Sequence, residues 1–140
     1  MTHIPDAIRN QIVKDAGGRC GYCLTAQKIS GAQMHIDHIV PLAHGGVTEE
    51  ANLWLACAWC NSYKGDKTHT LDPQTGENAP LFNPRTQVWT EHFCWSDDGA
   101  EIIGLTSTGR ATVVALQMNN EFIVPARRHW IMAGWHPPKA

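Results

Sequence analysis

The sequence has no apolar run approaching the ~18 residues that a membrane-spanning helix requires. Its first residues, "MTHIPDAIRN", lack a basic segment followed by an apolar one, so no secretory signal is read there and a cytoplasmic chain is expected. Charge of one sign is also missing: 11 Lys and Arg stand against 13 Asp and Glu, for a net charge of -2 with His neutral. That balance argues against a protein that coats nucleic acid through bulk positive charge. It leaves room for a small enzyme that grips a few phosphates. Repeats and low-complexity tracts are absent as well.

What is present reads as globular, with 43% hydrophobic and 17% charged residues over 140 positions. A chain of that size holds one domain with a real core. Five cysteines stand out. Four form two C-x-x-C pairs, Cys20 with Cys23 in "CGYC" and Cys57 with Cys60 in "CAWC". Without an export signal the pattern points to metal rather than to a disulfide framework. Four soft, charged thiolates suit a closed, tetrahedral, structural zinc ion. A redox role would need only one such pair. Cys94 stands alone in an alternating run and reads as a small apolar core residue.

The two pairs are spaced widely. Leu24 to Ala56, 33 residues, separate them, against about 15–20 in common zinc knuckle pairs. The zinc therefore clamps the base of an inserted loop, and that loop carries "HIDHIVP". His35, Asp37 and His38 sit there in an otherwise strand-like run, and buried charge needs a partner or a metal. A closed four-cysteine site has no open position for chemistry, so any reaction uses a second ion or none. Asp37 and Asn61 carry hard oxygen donors suited to magnesium or manganese. A neutral His38 beside them suits a general base. The set would serve metal-assisted phosphodiester hydrolysis.

Coarse elements place these residues. "DAIRNQIVKDA" (6–16) reads as a helix with Ile8, Ile12 and Val13 on one stripe, closed by Gly17 and Gly18. Residues 34–40 read as a strand ending at Pro41, 52–56 as a second strand, and 58–67 as a short helix. "LDPQTGENAPLFNPRT" reads as connection with no clear element. "QVWTEHFCW", "SDDGA" and "EIIGL" give a hairpin signal. "GRATVVALQM" and "PARRHWIMAGW" read as two short helices, the second opened by Pro125, closed by Gly134 and striped by Trp130, Ile131 and Trp135. The expectation is a single domain over 1–140, with a zinc-clamped core at 1–82 and a hairpin with helices at 83–140 packed on it.

The order Asp37–His38, then Asn52, then Asn61, set between and just past two C-x-x-C pairs, resembles the HNH endonuclease family. "DHIVP", "GG", "ANLWLAC" and "CNSYKG" carry the resemblance, over roughly residues 17–67. The third motif letter is Asn here rather than His. The resemblance implies an α+β, ββα-metal fold and a DNA endonuclease leaving a 5′-phosphate and a 3′-hydroxyl. It implies His38 as general base, Asp37 and Asn61 as ligands of one divalent ion, and Asn52 as a brace of the loop that helps fix His38. RNA stays open as a substrate, and the rival reading is a catalytically silent, zinc-stabilised nucleic-acid-binding or regulatory module.

Some residues carry two readings. Adjacent side chains of a regular strand face opposite sides, so Asp37 and His38 can serve one phosphate only if the strand breaks before Pro41; without a break, His35 with Asp37 is the rival pair. His35 otherwise reads as structural. His44 reads as exposed. Lys64 and Lys67 read as candidate phosphate contacts, Arg127 and Arg128 as a polar helix face in preference to a second DNA contact, and the tryptophans, above all Trp89, Trp95, Trp130 and Trp135, as core.

Overall fold

The computed structural model describes residues 3–139. It is a mixed α+β architecture of short helices and three two-stranded antiparallel sheets. The chain forms two compact units, Met1–Thr68 with Asn83–Gln87, and His69–Phe82 with Val88–Ala140.

In the first unit, α1 (Asp6–Asp15) opens after Pro5, whose fixed φ suits a helix start. It buries Ile12 completely and packs against the second strand. The first cysteine pair follows, then a single-turn helix α2 (Gln27–Ser30), which the sequence did not suggest. Strand β1 (His35–His38) pairs antiparallel with β2 (Leu53–Ala56), in register from His35 opposite Ala56 to His38 opposite Leu53. Helix α3 (Ala58–Lys64) starts at once from Cys57 and packs on β1. These three elements are the ββα unit. Both strands are shorter than the sequence suggests, because Ile39 and Val40 bend out of the strand and Asn52 belongs to a 3-10 turn.

The 33 residues between the knuckles contain that hairpin and the loop that joins its strands. At the "GG" of the loop, a Cβ on Gly46 would lie on the carbonyl oxygen of Val40, so only glycine allows this close return of the chain. The segment Asn83–Gln87 also belongs here. Arg85 donates through Nε and Nη2 to the Leu53 carbonyl at 3.3 and 3.1 Å and lies 4.9 Å over the Trp54 ring.

The second unit corrects the sequence in several places. Residues expected to be featureless form a hairpin, β3 (His69–Leu71) with β4 (Asn78–Pro80). Its turn is organised by Asp72, which accepts from Gln74 N and Thr75 Oγ1, a polar local pattern that hydropathy alternation does not reveal. The next expected strand is half helix: α4 (Trp89–His92) leads directly into β5 (Phe93–Trp95), which pairs with β6 (Ile102–Gly104). Helix α5 (Ser107–Ala115) packs on β3, β4 and β6. The approach is close because the facing residues are small; a Cβ on Gly109 would strike the His92 carbonyl oxygen, and one on Gly104 would strike the α5 backbone. Thr112 turns its hydroxyl inward, accepting from Phe82 N at 2.9 Å and donating to Thr108 O at 2.7 Å.

Helix α6 (Ile123–Met132) begins two residues before Pro125 and buries Val124 and Arg127. The polar-face reading of Arg127 is overturned. Its side chain is fully buried, donates to the carbonyls of Ala100 and Met118 and to Asn119 Oδ1, and lies 5.5 Å over the Trp95 ring. The expected Trp stripe also fails at Trp135, which lies past the end of α6 and is 58% exposed. Cys94 is half-buried rather than fully in the core.

One ion pair ties this unit together. Arg110 of α5 makes a bidentate contact with Asp72 of the first hairpin's turn, at 2.9 and 2.8 Å, and no Asp72 side-chain surface is exposed. The Arg110 bonds hold the Asp72 carboxyl far below its ordinary value. A depressed carboxyl contributes stability that is present above the unfolded-state value, about pH 4, and is lost as pH falls through the folded-state value. Asp72→Asn is therefore expected to lower the chain's stability at pH 7 and to flatten its stability profile below pH ~4. Denaturant titrations at pH 7 and at about pH 3 check this, and equal wild-type and variant slopes in acid would count against the pair.

Candidate functional site

Each C-x-x-C pair is a tight turn that points two sulfurs inward. In the first, Tyr22 N donates to Cys20 Sγ at 3.4 Å; in the second, Cys60 N donates to Cys57 Sγ at 3.4 Å, so the thiol also caps α3. All four sulfurs lie within 4.8 Å of one another, and Cys23 and Cys57 are 3.6 Å apart. That separation is too long for a disulfide and close to the edge of a tetrahedron with metal–sulfur bonds of ~2.3 Å. Burial pushes the Cys20 thiol well above its ordinary value, while hydrogen bonds from Cys20, Cys57 and Cys60 pull Cys23 well below. Packed together, the thiols ionise collectively only with a cation among them. The four cysteines can hold one zinc ion, as their chemistry suggested.

Asp37 is the centre of the neighbouring cluster. It is 5% exposed, and both carboxylate oxygens are engaged. Tyr22 Oη donates to Oδ2 at 2.7 Å, and Lys64 Nζ donates to Oδ1 at 3.2 Å and to the His38 carbonyl at 2.9 Å. Burial pushes the Asp37 carboxyl up, against the pull of the Lys64 charge and the Tyr22 hydroxyl. Burial and the Asp37 charge push the Tyr22 hydroxyl up as well, so it stays protonated and donates. Tyr22 lies inside the first knuckle and Lys64 ends the helix that starts at the second. The cysteine cluster therefore sets both hands of the grip on Asp37.

Lys64 corrects the sequence reading. It is 1% exposed and committed to Asp37 and His38, so it does not present its ammonium to a phosphate at the surface. Lys67 is exposed, with Nζ on the Tyr63 carbonyl at 3.0 Å.

His38 is half-buried, and its Nε2 lies 2.9 Å from Thr48 Oγ1. The chain does bend before Pro41, at Ile39 and Val40, but after His38, which stays in register. The side chains of Asp37 and His38 consequently take separate partners, although Lys64 also reaches the His38 carbonyl. Asn52 closes the loop between the strands: its Oδ1 accepts from Val40 N at 2.9 Å, and its Nδ2 donates to the carbonyls of Val40 and Val47 at 3.0 and 2.9 Å. That loop delivers Thr48 to the imidazole. Asn61 lines a cleft beside β1 together with His35, which is exposed rather than packed as a structural histidine. His44 is exposed.

Residues 20–67 match the model of the HNH endonuclease family. The match spans about a third of the chain and covers both cysteine pairs, the ββα unit and the loop between its strands. This stretch is similar to the HNH family over the matched residues, and its mixed helix and antiparallel sheet with a four-cysteine cluster agrees with a ββα-metal core. No curated protein and no solved structure matches the chain significantly.

Three participants in the HNH segment escape a reading of the sequence: Tyr22, Thr48 and the buried role of Lys64. Tyr22 between two cysteines reads as a spacer, and Thr48 lies in a polar loop with no periodicity. Lys64 does follow Asn61 by three positions, a same-face helix spacing, and that spacing is a usable sign.

Two outcomes test these contacts. Cys57→Ser is expected to remove bound zinc and to melt the HNH segment, since zinc ligation contributes on the order of 10 kcal/mol to such sites; metal analysis and circular dichroism report both. Lys64→Met leaves a buried carboxylate without its partner, at a cost of about 3–5 kcal/mol. Combining it with Asp37→Asn should recover part of that loss in a denaturant double-mutant cycle, and strict additivity would show that the two side chains do not interact.

Proposed function

We propose that the chain is a metal-dependent HNH endonuclease that hydrolyses phosphodiester bonds, with DNA as the expected substrate. The observation that carries this reading is the His38 imidazole. It is partly exposed in an HNH segment, and its Nε2 is held by Thr48. In the tautomer in which Nε2–H donates to Thr48, Nδ1 keeps its lone pair to take a proton from water. Asn52 serves this step from a distance by closing the loop that holds Thr48.

Asp37 and Asn61 are proposed as the oxygen donors for a divalent ion, magnesium or manganese. Their chemistry fits: both donors are hard oxygens, each Asp37 oxygen keeps acceptor capacity beyond its one bond, and no hydrogen bond engages the Asn61 side chain among the described residues. When bound, such an ion supplies Lewis acidity at the scissile phosphate and at the departing 3′ oxygen. Lys64 and Tyr22 keep Asp37 ionised and aimed. The products are a 5′-phosphate and a 3′-hydroxyl.

One observation favours the second reading, a catalytically silent zinc module that binds nucleic acid or regulates a partner. The Lys64 ammonium already neutralises Asp37, which a module without a catalytic ion would need. Supercoiled plasmid incubated with the zinc-loaded protein, with and without added magnesium or manganese, separates the two. Metal-dependent nicking is expected, with a loss of roughly 100-fold or more in His38→Ala and a smaller loss in Thr48→Val. No nicking with either metal, or equal nicking by His38→Ala, would sink the nuclease reading.

A further inference from the structure

The cleft beside Asn61 gathers polar side chains of which the site above uses only Asn61. Arg9 reaches it from α1, Gln33 and His35 from the approach to β1 and its first residue, and Asn61 from α3. Among the described residues, no hydrogen bond or ion pair engages any of these four side chains. Among the described residues, the guanidinium is the one Lys or Arg group lining the cleft, and no carboxylate lines it. Buried Ile4 and Met34 add apolar surface.

The other cations of the HNH segment and its neighbours are spent or sit elsewhere. Lys64 is buried on Asp37, Lys67 bonds the Tyr63 carbonyl, Arg19 the Leu24 carbonyl and Arg85 the Leu53 carbonyl. A chain with a net charge of -2 has no bulk attraction for a polyanion, so a nuclease of this kind needs a local grip. We propose that Arg9, Gln33 and His35, beside Asn61, form a subsite for the phosphodiester backbone of the nucleic acid strand being cut. A guanidinium fork matches phosphate oxygens, the imidazole and the Gln33 amide can hydrogen-bond beside it, and the apolar surface suits the sugar. This rests on the nuclease reading and makes His35 a strand-binding residue rather than a metal ligand.

The test uses the full zinc-loaded chain and a fluorescently labelled duplex of about 20 base pairs of DNA, long enough for several phosphate contacts. Binding is read by anisotropy without added divalent ion, with a matching RNA duplex as a second arm. Arg9→Gln is expected to weaken binding roughly tenfold and to reduce the slope of log affinity against log salt by about 1. His35→Ala should weaken binding less, and Lys28→Gln, at a lysine outside the cleft, should leave it unchanged. In cleavage assays Arg9→Gln should raise KM while kcat stays within about twofold of wild type. Unchanged binding by Arg9→Gln, with cleavage by the wild type intact, overturns the subsite and spares the nuclease reading. Weakened binding by Arg9→Gln in a protein that never cleaves supports the subsite and removes the nuclease reading. Displacement of the duplex by poly-glutamate as effectively as by unlabelled duplex overturns the subsite, since the cleft would then accept any polyanion. If Arg9→Gln melts below the assay temperature, Arg9→Lys replaces it: weaker binding with the wild-type salt slope supports the fork geometry, and unchanged binding overturns it.

Discussion

The first unit depends on how one buried carboxylate is kept charged. Asp37 is paired on one oxygen with Lys64 and on the other with Tyr22. Taken singly, the cost of burying Asp37 and Lys64 is several kcal/mol each. It is tolerable only because all the hydrogen-bonding partners are already in place. They are placed by the cysteine cluster, since Tyr22 is inside one knuckle and Lys64 lies seven residues past the first cysteine of the other. Zinc binding, strand pairing and the position of Asp37 are thus one problem with one solution. A small hairpin and a two-turn helix can hold a buried charged cluster without a large apolar core.

The loop between the strands works on a different principle. It has few buried apolar side chains, and its order comes from backbone-directed hydrogen bonds. Asn52 closes it with three bonds, Gly46 permits the close return past Val40, and Thr48 is thereby brought to His38. The candidate base is held by a loop and the carboxylate by the frame built on the four-cysteine cluster. His38 is joined to the frame through its carbonyl, which accepts from Lys64.

The second unit packs through small residues, an internal ion pair and a buried arginine. Gly104 and Gly109 let α5 lie close to β6, and the Asp72–Arg110 pair and the buried Arg127 satisfy polar groups where chain turns converge. These are long-range pairings. Asp72 and Arg110 are 38 residues apart, and no local periodicity joins them. For the same reason the hairpin at 69–80 reads in sequence as connection and Arg127 as part of a polar face: a short polar strand and a buried cation look the same in sequence as a loop and a solvated one.

By itself the sequence determined the elements whose chemistry is local. Two C-x-x-C pairs announce a four-cysteine cluster because the short spacing forces both sulfurs to one side. The order of Asp37, His38, Asn52 and Asn61 carries the resemblance to the HNH family, which the family model also matches over residues 20–67, and the ββα elements follow from helix and strand periodicity. The tertiary structure alone decided which of these groups meet. It buried Lys64 against Asp37, ended β1 after His38, gave the imidazole to Thr48 and left His35 in a cleft with Arg9 and Asn61. Those choices turn on burial and on the partners available within about 3 Å, which are set by the folding of distant segments onto one another and not by any neighbour in the chain.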